Sequence, residues 1–168
     1  MRAVMTVLLS LLLTACTPGG SGVDEADQAA QLEAARQRVL DDVTPVLDDL
    51  VATLPGRVRF SQGNYDACEN DLSGATAVTY RVNGRLDLAE GPADLDAVLA
   101  ALTRAGFEDD GTHDGVTAGG TKEGTQASFS RLAGEPALLF SAGDDGCYAV
   151  GSDRARDLSA DRNPIPPG

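Results

Sequence analysis

Hydrophobic residues recur every three or four positions across residues 24–54, which predicts an amphipathic helix with one buried face. The stripe consists of Leu32, Val39, Val43, Val46, Leu47, Leu50 and Leu54. Acidic residues open the segment, where negative charge suits the positive end of the helix dipole. Pro45 interrupts the pattern. Two helices, with Thr44 as the cap of the second, or one kinked helix would both satisfy it.

A second helix is predicted at residues 92–105, where four apolar residues share a face and Gly106 follows as a natural terminator. Alternation of apolar and polar residues predicts short strands in the rest of the chain. These strands are residues 57–60, 75–82, 85–88, 115–119, 125–132, 136–142 and 147–150.

Turn residues predict how the strands connect. Asn83-Gly84 is typical of a two-residue hairpin turn, so we expect the chain to reverse there. Residues 61–74 are polar and are interpreted as a loop. Further turns are expected at residues 122–124, 133–135 and 143–146.

These elements predict an α+β fold in one domain. Short connections favour antiparallel pairing, which gives a sheet of about five to seven short strands with two helices packed on one face. The chain of 168 residues has room for one domain, which we place at residues 24–150. Residues 151–168 are charged and then proline-rich, so we expect a disordered tail.

The amino terminus has the pattern of an export signal. Arg2 precedes an apolar run of about 11 residues, which is too short to span a bilayer as a helix. Leu13-Thr14-Ala15-Cys16 then resembles the lipobox of bacterial lipoproteins. This resemblance implies that residues 1–15 are a signal peptide and that Cys16 receives a diacylglyceryl group. The alternative is cleavage without lipid.

Lipid on Cys16 would place the protein on the extracytoplasmic face of the cell membrane, because two acyl chains hold a protein there stably. Residues 16–23 are rich in glycine and would form a flexible tether. The arrangement is similar to small lipoproteins of unknown function from GC-rich Gram-positive bacteria, a likeness that implies no activity.

Three cysteines are present, and lipidation of Cys16 would leave Cys68 and Cys147. A pair of cysteines in an exported protein predicts a disulfide bond. Free thiols or metal ligands are the alternatives. Two cysteines without a nearby histidine make a poor zinc site.

Charge and motifs limit the chemistry. The formal net charge of −13 argues against nucleic-acid partners. No nucleophile elbow, zinc-protease helix or phosphate-binding loop occurs in the sequence, and we expect no cofactor, metal or catalytic residue.

A few residues nevertheless have the chemistry of a site. His113 lies among three aspartates that could hold a cation, although the pattern is more typical of a turn. The pairs Asp41-Asp42 and Asp48-Asp49 are expected to face water. Tyr65 is the tyrosine whose exposure would indicate a binding surface.

The function that these observations favour is that of a membrane-anchored extracytoplasmic lipoprotein. Its domain would be non-catalytic and would bind an envelope protein or a small ligand. The alternative is a cell-envelope hydrolase that uses Asp and Glu carboxylates, which would require two of them across a cleft.

We predict that the Cys16→Ala variant leaves the membrane fraction for the soluble fraction, because it lacks the sulfur that carries the acyl chains. Fractionation followed by intact-mass measurement checks this. The wild-type protein should carry the diacylglyceryl mass and lack the thiol hydrogens of Cys68 and Cys147. A variant that sediments with membranes as fully as the wild-type protein would contradict the prediction.

Overall fold

The computed structural model of the protein describes residues 24–68, 76–89, 91–160 and 163–164. The predicted signal peptide, Cys16 and the predicted tether lie outside the described residues. The helices are α1 (Glu25–Thr53), α2 (Leu95–Arg104) and α3 (Ser152–Ala160). The strands are β1 (Gly56–Ala67), β2 (Ala77–Leu88), β3 (Glu108–Asp109), β4 (Thr117–Lys122), β5 (Thr125–Arg131), β6 (Ala137–Asp144), β7 (Tyr148–Ala149) and β8 (Asn163–Pro164).

The strands form one antiparallel sheet, which confirms the predicted α+β class. Its order is β3-β4-β5-β6-β2-β1-β8, and β7 pairs with one end of β2. Two strands are longer than expected, because β1 and β2 each have 12 residues. No helix in the described ranges is long and apolar enough to cross a membrane.

The helix α1 is continuous through Pro45, so the one-helix alternative is correct. Asp24 caps it, with its side-chain oxygen accepting the Ala26 N–H at 3.0 Å. The apolar stripe stays in phase across the proline. Its members Val39, Val46 and Leu50 are fully buried against the sheet, which holds the helix together where one backbone hydrogen bond is missing.

The predicted turn at Asn83-Gly84 is wrong, because both residues lie inside β2. Alternate residues of β2 are buried along its whole length, so a reversal there would expose half of that face. Gly84 serves a different purpose, since the Phe140 ring of β6 lies against its backbone. The glycine marks a close approach between strands and not a turn.

The predicted loop at residues 61–74 is also wrong for its first half. Residues 61–67 continue β1, which pairs with β2 from Gly56↔Leu88 to Ala67↔Val78. Polar residues such as Gln62 and Asn64 alternate with buried ones, and they face away from the core. The reversal lies between Cys68 and Ala77, and part of that segment is outside the described residues.

The tail predicted to be disordered contains helix α3 and strand β8. Ala155 is fully buried and Leu158 packs against the core, so two apolar side chains fix a segment whose composition is otherwise charged.

The start of α2 also differs from the prediction. Asp94 accepts the N–H groups of Asp96 and Ala97, so the helix begins after Asp94 and Pro92 precedes it.

The predicted disulfide between Cys68 and Cys147 is present, with 6.2 Å between the two Cα atoms. It joins the end of β1 to the segment before β7 and closes a separation of 79 residues. Loop-closure entropy for that length corresponds to about 4–5 kcal/mol of stabilisation. Such a bond matters for a chain of which only 4% of the residues are aromatic.

We predict that Gly84→Ala lowers the free energy of unfolding by about 1–3 kcal/mol, because overpacking forces side chains and backbone to move. An added Cβ would lie 2.5 Å from the Phe60 carbonyl oxygen and closer still to the Phe140 ring. Urea denaturation followed by circular dichroism measures the change. The exposed Gln126 serves as a control, because Gln126→Ala should stay within about 0.5 kcal/mol of the wild-type protein. Equal stability of both variants would contradict the contact.

Candidate ligand-binding cleft

A cleft of about 630 Å³ lies where α1 ends and three strands come together. Its walls come from the start of β1, the end of β2 and the residue before β6. Pro55, Leu88, Ala89 and Pro136 supply apolar surface, while Arg57, Arg85 and Asp87 supply charge. The volume falls within the range of sites that bind small molecules.

Backbone hydrogen bonds hold the walls of this cleft together. The Leu88 N–H donates to the Pro136 carbonyl oxygen at 2.7 Å, and the Ala89 N–H donates to the Pro55 carbonyl oxygen at 2.6 Å. The segments at Pro55 and Pro136 are therefore both tied to the end of β2. This fixes the cleft before any ligand arrives, and a preformed site loses less entropy on binding.

Arg85 is held between two carboxylates at the edge of the cleft. Its Nε donates to Asp87 Oδ1 at 2.5 Å, and its Nη2 donates to Glu135 Oε2 at 2.6 Å. The hydrogen bond from Arg85 lowers the pKa of Asp87, and the charges of Arg59 and Arg57 act in the same direction. Asp87 is therefore ionised at neutral pH and is unsuited to act as a general acid.

Two further arginines approach the same carboxylate. Arg59 Nη1 lies 3.7 Å from Asp87 Oδ2, and its side chain is 60% exposed. Arg57 lines the cleft, is exposed, and makes no hydrogen bond or ion pair with any described residue. Among the described residues, three arginines thus face two carboxylates, those of Asp87 and Glu135. This leaves a local excess of positive charge among them on a chain of net charge −13.

A second group of polar residues is buried under α1. Asp42 Oδ1 lies 2.7 Å from Lys122 Nζ, and its Oδ2 accepts the Thr125 hydroxyl at 2.8 Å. The residue Asp42 is only 7% exposed, so the expectation that it faces water is wrong. Lysine and threonine partners replace the lost hydration of the carboxylate, which makes its burial tolerable.

Asp144 is the other buried carboxylate, with a fully buried side chain. Arg38 of α1 donates to its Oδ1, and the Tyr148 hydroxyl donates to its Oδ2 at 2.7 Å. The Gly146 N–H also donates to Oδ2, at 2.8 Å. Each oxygen of Asp144 thus accepts from a protein donor, and the residue joins α1 to the end of β6.

The remaining candidates from the sequence are dispersed. Asp41 accepts from Gln37 and Asp49 pairs with Arg104, both on the accessible side of α1. Asp48 is exposed, as expected for it. The structure therefore does not bring these acids to the cleft, where the carboxylates near its edge are those of Asp87 and Glu135.

The acidic segment around His113 is a series of turns. Side chains of Asp109, Asp110 and Asp114 accept backbone N–H groups two or three residues ahead, which is the usual role of aspartate in turns. His113 Nε2 lies 3.9 Å from Asp96 Oδ1. Within the described ranges, no three His, Cys, Asp or Glu side chains are placed to share a metal ion.

Tyr65 is buried and therefore offers no binding surface. Its ring lies 5.2 Å from that of Tyr80, centroid to centroid, on the core side of the sheet.

The cleft itself could not be found from local sequence. The alternating Arg57-Val58-Arg59 segment indicated a strand, and nothing near it indicated Arg85 or Glu135 as neighbours.

Comparison with known proteins adds no relative to this picture. No family model, no curated protein and no solved structure matches the chain.

We predict that the three tyrosines ionise at higher pH in the folded protein than in the unfolded protein. Burial raises the pKa of Tyr65, Tyr80 and Tyr148, and the hydrogen bond to Asp144 adds to the effect at Tyr148. The contribution of these tyrosines to the free energy of unfolding is fully present below their ordinary pKa of about 10. It is lost as the pH rises through their raised pKa in the folded protein.

The tyrosinate absorbance, measured with and without urea, checks this shift without interference from tryptophan, which the chain lacks. The folded protein should develop this absorbance at higher pH than the protein in urea. Tyr148→Phe should remove the part of the signal that depends on Asp144. Coincident titration curves for the folded and unfolded protein would contradict the burial of all three rings.

Proposed function

We propose that the protein is a lipid-anchored extracytoplasmic binding protein that holds a small ligand, or the end of a larger one, in the cleft beside Pro55 and Leu88. Residues 13–16 support the anchor, because they match the lipobox pattern at the expected place. The cleft supports binding, because its apolar walls and few polar groups are typical of ligand sites. The cleft is the observation that carries the proposal.

The direction of α1 adds a geometric argument. The helix begins directly after the predicted tether and ends at Thr53, beside the cleft. Its first turns lie against β7, where the Ala149 N–H donates to Gln28 Oε1 at 3.1 Å. A helix of 29 residues is about 44 Å long. An anchor before α1 would therefore leave the cleft at the far end of the domain, open to ligands outside the membrane.

Catalysis by carboxylates is the weaker explanation of the same cleft. A hydrolase of that kind requires one carboxyl that stays protonated near neutral pH. The pKa of Asp87 is shifted in the opposite direction by Arg85. Glu135 also accepts a hydrogen bond from Arg85. Both carboxylates are thus engaged in holding an arginine, which favours binding over proton transfer.

Titration calorimetry on the full-length protein in phosphatidylcholine nanodiscs tests the proposal. The probes are three leucine derivatives of similar size: N-acetyl-leucine, N-acetyl-leucinamide and leucinamide. We expect at least one to bind with one site per protein. Ala89→Trp should abolish binding, because the exposed Ala89 lines the cleft and an indole there would obstruct it.

The matched control is Ala34→Trp, which adds the same indole to an exposed position of α1 away from the cleft. It should bind the probes as the wild-type protein does. Absence of binding by all three compounds, or unchanged binding by the Ala89→Trp variant, would refute the assignment of the cleft as a ligand site.

A further inference from the structure

We propose that the cleft recognises an oxyanion, a carboxylate or a phosphate ester, attached to an apolar group, and that Arg57 is the residue that binds it. This inference rests on the proposed function and specifies the class of ligand.

Basic side chains in the described ranges are nearly all engaged. Among them, only Arg57 and Arg154 make no hydrogen bond or ion pair. The chain has 26 acidic residues against 13 basic ones, so carboxylate partners are abundant. An arginine that remains without one, on the wall of a cleft, has its guanidinium donors available to a ligand.

Asp87 attracts Arg57 through its charge but accepts no hydrogen bond from it, so the guanidinium donors of Arg57 are not used. Asp87 and Glu135 both accept short hydrogen bonds from Arg85, which occupies them. Arg59 is 3.7 Å from Asp87 and mostly exposed, so it reinforces the positive potential near Arg57. The group that complements this arrangement is a single negative charge, and a planar guanidinium can bind a carboxylate or phosphate through two parallel hydrogen bonds.

The apolar walls of the cleft determine which group is attached to the oxyanion of the ligand. Pro55, Leu88 and Pro136 present hydrocarbon beside Arg57. Burial of an apolar group against them is favourable in proportion to the area removed from water. The preferred ligand therefore has an oxyanion next to an aliphatic or similar apolar group, such as a carboxylate beside a branched side chain.

The position of the cleft identifies where such a ligand comes from. Headgroups of the anchoring membrane also carry phosphate, but α1 separates its first turn from the cleft by about 44 Å. We therefore infer that the oxyanion belongs to a ligand outside the membrane and not to a lipid of the same bilayer.

The test varies the charge of the probe and, in a variant, removes the positive charge of Arg57. On the full-length protein in phosphatidylcholine nanodiscs, N-acetyl-leucine should bind at least about tenfold more tightly than N-acetyl-leucinamide, and leucinamide more weakly still. Arg57→Gln should reduce the affinity for N-acetyl-leucine about tenfold and leave that for the amide nearly unchanged.

Arg154→Gln is the matched control, because Arg154 is the other arginine of the described ranges without a hydrogen bond or ion pair, and it lies exposed on α3. It should bind all probes as the wild-type protein does. Equal affinities for the acid and the amide, or equal effects of the two substitutions, would overturn the oxyanion proposal while leaving the cleft as a binding site. Failure of every leucine derivative to bind would overturn the proposed function as well.

Two additional experiments ask whether phosphate esters also bind and whether the oxyanion belongs to a membrane lipid. Butyl phosphate should displace N-acetyl-leucine from the wild-type protein, and its failure to do so would remove phosphate esters from the class. Nanodiscs that contain phosphatidylglycerol should leave the affinity for N-acetyl-leucine unchanged. A loss of affinity in those nanodiscs would overturn the inference that the ligand comes from outside the membrane.

Discussion

The structure depends on the burial of one apolar stripe of α1 against the sheet. The buried residues of α1 are mostly branched aliphatic ones such as Val39, and the core on the sheet side combines Ala127 with the rings of Phe129 and Phe140. These side chains pack closely, so many individually weak contacts add up across the interface between helix and sheet. The same closeness leaves little room for water. Any polar group of α1 that faces the sheet must therefore find its partner within the protein.

Asp42 and Arg38 are the polar groups of α1 that this requirement governs. Asp42 pairs with Lys122 and Thr125 at the β4–β5 hairpin, and Arg38 pairs with Asp144 at the end of β6. Each pair brings residues distant in sequence to one place. A shift of the helix by one turn would leave buried charges without partners, at a cost of several kcal/mol for each ion. The ion pairs thus specify the register of α1 on the sheet, and hydrophobic burial supplies the driving force.

How much the sequence reveals depends on whether the signal is local. The helix α1 and the Glu123-Gly124 turn are both present, because each is determined by residues that are neighbours in the sequence. For α1, the sequence left open whether Pro45 divides it into two helices. Cys68 and Cys147 could be paired by elimination. Gly84 was misread, because a glycine that accommodates Phe140 of another strand has the same local pattern as a glycine in a turn. The cleft joins segments near residues 55, 87 and 136, and only the sheet register makes them neighbours.

The net negative charge of the chain is compatible with the proposed site for anions, because the two act over different distances. At physiological salt the Debye length is about 8 Å, so charges beyond the nearest residues contribute little to the potential inside the cleft. Of the residues that the structure describes, Asp87 and Glu135 are the acids at the edge of the cleft, and Arg85 already neutralises much of their field. The net charge of −13 affects the approach of a ligand instead, because it repels anions weakly at the surface. Affinity must then come from contact with Arg57 and the apolar walls, which makes the shape of the ligand as important as its charge.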